Sequence, residues 1–398
     1  MSLDAHDHAV LRGRIVDWLI GPARQKATPV EIIGGLAERL VGAGLPLLRV
    51  RVGQTVANPL ISAWGVIWSR DRGPESYTVP RGMLATPSYK GSPFERVVAT
   101  RTGFRRSLES LVAGLDHAVL FELAESGSTD YLALPIEYGD GSVQASAFTT
   151  DRPGGFADAE VQLIESLSAA IGAALEPAAM RHSMASLLEV YLGSGPADRV
   201  SKGAFRRGQT TELDAAVLIT DLRDSTGLSE RLQPDALLDR LGSYFEIVVE
   251  AVRMQGGDVL KFLGDGVLAV FPAAPGNRQE ACERAARAIM NAFANPAAHS
   301  MRFVAALHVG PVVYGNIGSP DRLDFTVVGP TVNYVSRLEA IAKSLDRRAV
   351  CSADVASALS GVVESLGKHV LRGIAGPQEV FELRTVSTRT SPSSATSG

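Results

Sequence analysis

The sequence predicts an α+β protein built from two unlike halves. Three observations carry this. Apolar residues recur at helical spacing near the start and again from about 158 to 192. Between 47 and 150, short apolar runs alternate with Gly, Pro and Asp turns, as antiparallel strands do. After 210, continuous apolar runs alternate with amphipathic helices. The length, 398 residues, predicts two to three domains at roughly 150 residues each. The chain is 45% hydrophobic and 21% charged, enough apolar material for sizeable cores. Its 39 Lys+Arg and 43 Asp+Glu leave a formal charge of -4, which argues against binding nucleic acid or anionic membrane through bulk charge. The two cysteines, Cys282 and Cys351, form no CxxC or zinc spacing, so no disulfide scaffold or structural zinc is expected. The opening MSLDAHDHAV lacks the basic and apolar regions of a signal peptide. No apolar run reaches about 18 residues, so no membrane span is expected and a cytoplasmic protein is.

Residues 1–45 read as two helices, carried by Val10, Leu11, Ile15, Leu19 and by Ile32, Ile33, Leu36, Leu40, with Gly21-Pro22 between them. LLRVRV, SAWGVIW, DYLALPIEY and SVQASAFTT read as strands, the last two joined by a Gly139-Asp140-Gly141 hairpin turn. Val161, Ile164, Leu167, Ile171 and Leu175 form the stripe of a long helix that Pro177 should kink or end. A second stripe, Met180, Met184, Leu187, Leu188 and Tyr191, stops at Gly193-Ser194-Gly195-Pro196. DAAVLIT reads as a strand buried on both faces. A helix over about 234–252 follows, then strands DVLKFL and GVLAVF around Gly264-Asp265. A helix over about 279–293, strands FVAALHVG, PVVYGNIG and DFTVV, and a helix from about Pro330 complete the pattern. The Ser/Thr-rich tail, 386–398, reads as disordered.

Asp221 ends the strand DAAVLIT and Asp265 lies in the turn between two strands. Two carboxylates on neighbouring strands suit a pair of divalent ions about 3.5–4 Å apart, with substrate phosphates supplying the remaining oxygens. The same residues also suit a helix cap before Ser225 and a tight turn. Lys261 reads either as a site residue or as a solvent-facing edge lysine. Asn333 and Arg337, spaced i, i+4, share one helix face. That face is either a solvated surface or one turned to a phosphoryl group, for which Arg is the suited side chain.

ITDLRDST, DVLKFLGDGVLAVF, GPVVYGNIGSPDRLDFTVVG and PTVNYVSRLEA occur in this order. Together, residues 208–385 resemble the catalytic domain of class III nucleotidyl cyclases. The resemblance implies a ferredoxin-like core that dimerises head to tail, with two active sites at the interface. It implies Asp221 and Asp265, with the Leu222 carbonyl, as ligands of two Mg²⁺ or Mn²⁺ ions. Lys261 and Thr326 would read adenine, Asn333 would orient the ribose, and Arg337 would stabilise the pentavalent phosphate. The implied enzyme is an adenylate cyclase, converting ATP to 3′,5′-cyclic AMP and pyrophosphate. Metal aspartates would come from one chain and Lys, Asn and Arg from the other, so the active form would be a homodimer. The alternatives are a guanylate cyclase and a catalytically degenerate sensor or interaction protein. The sequence departs from the family at Asp224, Pro330 and Ile374, none of them a metal ligand. Gly256-Gly257-Asp258 is similar to part of a diguanylate cyclase signature but lacks its acidic partner, and reads as a turn before a strand.

DYLALPIEYGDGSVQASAFTT followed by FADAEVQLIESLSAAIGAALE resembles the end of a GAF domain, a sensory module. This implies a GAF-like domain over 1–176 with an antiparallel sheet and helices, and a small-molecule ligand for which Trp64, Trp68, His117 and Phe121 are candidate lining residues. Residues 177–207 then read as a helical linker that sets the two catalytic domains of a dimer relative to one another.

Overall fold

A computed structural model describes residues 5–384, apart from 24, 26, 57, 205 and 360–362. The tail expected to be disordered lies outside the described residues. The chain forms two compact units, 1–190 and 191–398. Mixed α and β structure with largely antiparallel sheets is what the periodicities predicted.

The first unit opens with α1 (Ala5–Trp18), a π-helical turn at Leu19–Ala23, and α2 (Pro29–Gly42). Thr28 starts α2 with a capping box: its hydroxyl accepts from the Glu31 N–H, and the Glu31 carboxylate accepts from the Thr28 N–H at 2.7 Å. Six strands follow: β1 (Leu47–Thr55), β2 (Ile61–Ser69), β3 (Gly73–Pro80), β4 (Phe104–Ser107), β5 (Asp130–Glu137) and β6 (Val143–Thr150). They form one antiparallel sheet in the order β3-β2-β1-β6-β5-β4. The short helices α3 (Pro93–Thr100) and α4 (Ala118–Glu125) pack on one face through Val97, Leu120 and Leu123. The helices α1 and α2 and the long α5 (Asp158–Leu192) cover the other face, with Trp64, Trp68 and Phe148 among the buried sheet residues.

Helix α5 continues through Pro177, so of the expected kink or end the end does not occur. Proline removes one backbone N–H from the ladder, yet contacts beyond it hold the chain helical. Ala178 and Ala179 are buried, the His182 ring lies 4.5 Å from Trp64, and Ser186 accepts from Asn58 Nδ2 at 2.6 Å. Gly172 permits the close approach of helix to sheet, since a Cβ there would meet the Glu137 carbonyl at 2.7 Å. Among the described residues α5 is long and apolar enough to cross a membrane, which the sequence reading did not anticipate. Its most apolar window is 56% buried inside the protein, the pattern of a core helix.

The second unit carries α6 (Ser194–Ser201), β7 (Thr210–Leu222), α7 (Ser225–Arg231), α8 (Pro234–Met254), β8 (Asp258–Leu263) and β9 (Gly266–Pro272). Helix α9 (Arg278–Ala294), β10 (Phe303–Gly318), β11 (Leu323–Val328), α10 (Pro330–Ser344), β12 (Ala349–Ser352), α11 (Ala353–Ala358), β13 (Val363–Val370) and β14 (Pro377–Leu383) complete it. The expected strands FVAALHVG and PVVYGNIG are one strand, β10, which passes through Pro311 opposite Asp214. Gly256-Gly257 is the turn before β8, with Gly256 at φ 66°.

The sheet order is β13-β14-β12-β10-β7-β9-β8, with β11 folded back on β10. Taking β7, β8, β9 and β10 as first to fourth, the spatial order is fourth, first, third, second, the arrangement of a ferredoxin-like βαββαβ core. Strand β7 is central, pairing antiparallel with both β10 and β9, which explains its continuous apolar run. One face is covered by α8, α9 and α11 through Tyr244, Val248, Ala285 and Val355. The other is covered by α10 through Val335, Leu338 and Ala342. Both cysteines are buried and free, and burial pushes their thiols up, to about 11 for Cys282 and about 12 for Cys351.

His308 on β10 is buried, stacked on Tyr334 at 4.1 Å and bonded through Nδ1 to the Ser352 hydroxyl at 2.8 Å. Burial pushes it down from 6.5 to about 4, against the opposing pull of Asp354. Between those values the unfolded chain takes up a proton that the native one does not, so stability falls as the pH drops through that window. Urea unfolding at pH 7.5, 5.5 and 4.5 is expected to show a loss on the order of 3 kcal/mol. His308→Gln should remove that part of the pH dependence.

Candidate active site

Asp221 is the penultimate residue of β7, paired with Gly266 on β9 and Val304 on β10. Asp265 sits in the turn between β8 and β9, and its carbonyl accepts the Leu222 N–H at 3.2 Å. The two aspartates thus lie at adjacent ends of neighbouring strands. Leu222 itself is buried, with its backbone at this end of the sheet. Burial pushes Asp221 up from the usual carboxylate range; nearby Asp265 and Glu339 add to this and Lys343 opposes it.

Lys343 on α10 is the main neighbour of Asp221, with Nζ 2.7 Å from Asp221 Oδ1 and 2.7 Å from Glu339 Oε1. Burial lowers the affinity of Lys343 for its proton, but the two carboxylates outweigh this and the net shift is upward. Tyr244 backs the site from α8, its hydroxyl 2.7 Å from that of Thr220.

Lys261 lies on the edge strand β8 and forms an ion pair with Asp324 on β11. Thr326 lies two residues further along β11, buried, opposite Gly315 of β10. Lys261 and the Thr326 strand are therefore neighbours. Asn333 and Arg337 are exposed on α10. Arg337 Nε donates to the Arg372 carbonyl at 3.3 Å, and among the described residues no contact joins it to Asp221 or Asp265.

Asp224 does not cap α7 through its side chain. It sits at φ 60° and pairs with Arg231, so its added charge is matched locally. Pro330 occupies the first turn of α10, where a missing N–H costs nothing. Ile374 packs against the core of the α10 face.

Sequence reasoning missed Lys343, Glu339 and Asp324. The Glu339/Lys343 spacing of i, i+4 is visible in LEAIAK, but it predicts only a local pair. Nothing local indicates that Lys343 reaches across to β7.

The donor set is two carboxylates and backbone carbonyls, hard oxygen ligands suited to Mg²⁺ or Mn²⁺. Asp221 Oδ1 is shut off from water and accepts no well-directed hydrogen bond, and the Lys343 ammonium at 2.7 Å already marks it as a position for a cation. Among the described residues no group of three or more His, Cys, Asp or Glu is gathered as a self-sufficient metal cage. That fits an ion completed by substrate phosphates.

In the first unit, a cavity of about 500 Å³ lies on the α3/α4 side of the sheet, lined by Arg51, Tyr77, Phe94, His117, Tyr131 and Gln144 among others. Of the four lining candidates only His117 borders it. Trp64 and Trp68 point into the core under α5, and Phe121 is not part of the cavity wall. His117 also caps α4, its Nδ1 accepting from the Val119 N–H at 3.2 Å.

Residues 209–384 match the family described as the adenylate and guanylate cyclase catalytic domain. An uncharacterized protein of Mycobacterium tuberculosis is 37% identical over 173 residues, covering 42% of this chain and 31% of that relative. Adenylate cyclase 2 of Rhizobium meliloti is 31% identical over 182 residues, covering 43% of this chain and 49% of the relative. This chain thus spans a third to a half of the length of these curated relatives. A solved structure of a bacterial light-regulated adenylyl cyclase aligns with a TM-score of 0.44 at 24% identity, over 56% of this chain and 64% of that one.

Proposed function

We propose, from the premise that residues 209–384 form a class III cyclase catalytic domain, that the chain is an adenylate cyclase active as a homodimer. The observation that carries this is the pairing of strand ends that sets Asp221 beside the Asp265 turn. Asp221, Asp265 and the Leu222 carbonyl would hold two divalent ions. Those ions, when bound, lower the pKa of the ATP 3′-hydroxyl and neutralise charge on the triphosphate. Lys261 donates to adenine N1, and Thr326 completes the base contact. Asn333 orients the ribose. Arg337 stabilises charge that develops on the α-phosphate, a contribution on the order of 3 kcal/mol for one preorganised donor. Because Arg337 is exposed and, among the described residues, hydrogen-bonds only to the Arg372 carbonyl, it would serve the site of a second copy, as would Asn333. The test is incubation of the purified chain with ATP, and separately GTP, with Mg²⁺ or Mn²⁺, followed by product identification. Cyclic AMP supports the reading; cyclic GMP alone makes it a guanylate cyclase; no product with either makes it a degenerate one.

The first unit acts in this reading as a GAF-like sensory domain whose ligand occupies the cavity bordered by His117 and Tyr131. Met180, Met184, Leu187 and Tyr191 support a linker role. They are 60, 66, 38 and 74% exposed on α5, at the 4-3-4 spacing of a two-stranded helical seam. Met184→Glu with Leu187→Glu is expected to weaken the dimer about tenfold or more, read by sedimentation. An unchanged dimer would remove the seam from the account.

A further inference from the structure

Helix α10 has two working faces. Asn333 and Arg337, four residues apart, face outward, while Glu339 and Lys343, also four apart, turn toward β7 of the same chain. The Lys343 ammonium touches Asp221 Oδ1 and Glu339 Oε1 at 2.7 Å each, and neither oxygen accepts a well-directed hydrogen bond or meets water. The ammonium therefore sits on the carboxylate oxygen that a divalent ion needs. One oxygen in a site sheltered from water does not serve both cations at full strength.

We propose that Lys343 is a resident counter-cation of Asp221 that competes with the divalent metal and sets its affinity in the nucleotide-free enzyme. This rests on the two-metal reading above. Its physical content is simple. With Lys343 in place, the isolated site carries one unit less negative charge and binds metal more weakly. Metal entry requires the ammonium to leave Asp221, and its flexible, 43% exposed side chain permits this. Glu339 keeps the ammonium nearby. The same helix would thus ready its own metal site through Lys343 and serve the partner's nucleotide through Asn333 and Arg337. Lys343 is a positioning residue and need not touch substrate.

The test is Mn²⁺ binding to the nucleotide-free full chain, followed by the electron paramagnetic resonance of free Mn²⁺. Removing a unit charge in contact with the ligand is expected to tighten binding by about tenfold in Lys343→Met. Lys343→Gln should tighten it likewise, and Lys343→Arg, which keeps the charge, should stay near wild type. A merely structural lysine would give the opposite sign, since a disordered site binds metal more weakly. Asp221→Asn combined with Asp265→Asn defines the background. If that double variant binds as much Mn²⁺ as wild type, the two-metal reading falls and this inference with it. If the double variant loses the site while both neutral Lys343 variants bind no tighter than wild type, the inference alone falls.

Discussion

Asp265→Ala is expected to lower cyclic AMP formation by at least about a thousandfold, because a lost metal ligand removes charge stabilisation that nothing else in the site replaces. Asp265 lies in a partly exposed turn between β8 and β9, so the fold should survive with a stability change within about 1 kcal/mol. Asp221→Asn should be equally damaging to turnover, while Lys343 keeps its ion pair with Glu339. Comparing turnover with thermal unfolding for the two variants separates loss of chemistry from loss of structure. Retention of even a tenth of wild-type turnover in Asp265→Ala would remove that residue from the metal site.

Lys261→Glu with Thr326→Cys is expected to shift the ratio of GTP to ATP turnover toward GTP by about a hundredfold. The reason is hydrogen-bond polarity: adenine presents an acceptor at N1 and guanine a donor, and a mismatched buried polar pair is strongly rejected. The Lys261–Asp324 ion pair adds a condition that the sequence did not reveal. Replacing Lys261 alone by an acid would set two carboxylates face to face, so Asp324→Asn belongs in the same variant. An unchanged GTP/ATP ratio in a folded triple variant would remove Lys261 and Thr326 from base recognition.

Much of the fold was legible because burial wrote itself into periodicity. Positions 215–219 are apolar throughout since β7 is flanked on both edges and covered on both faces. The Gly139-Asp140-Gly141 turn marked the β5–β6 hairpin, and both motif aspartates fall at strand ends because acidic residues there interrupt an otherwise apolar pattern. Pro177 does not end α5, because contacts on either side carry the helix through, and the two strands expected on either side of Pro311 are one. The site was legible where motif and turn coincide, and illegible where it depends on charges brought from afar. Lys343 is over a hundred positions from Asp221, as no local pattern records. The lining of the first-unit cavity was hidden for a related reason. Tryptophans suggest a binding pocket by composition, but in β2 they lie on the face covered by α1, α2 and α5, and the cavity opens on the face that carries α3 and α4.

We propose that each active site takes its metal aspartates from one chain and Asn333 with Arg337 from the other. Mixing Asp265→Ala with Arg337→Ala tests it most directly. Each variant alone should be inactive. An equal mixture, allowed to exchange subunits, should recover about a quarter of wild-type turnover, because half of the dimers are mixed and each of those holds one intact site. Mixed dimers that form yet show no recovery, or an Arg337→Ala homodimer that turns over ATP like wild type, would contradict the account.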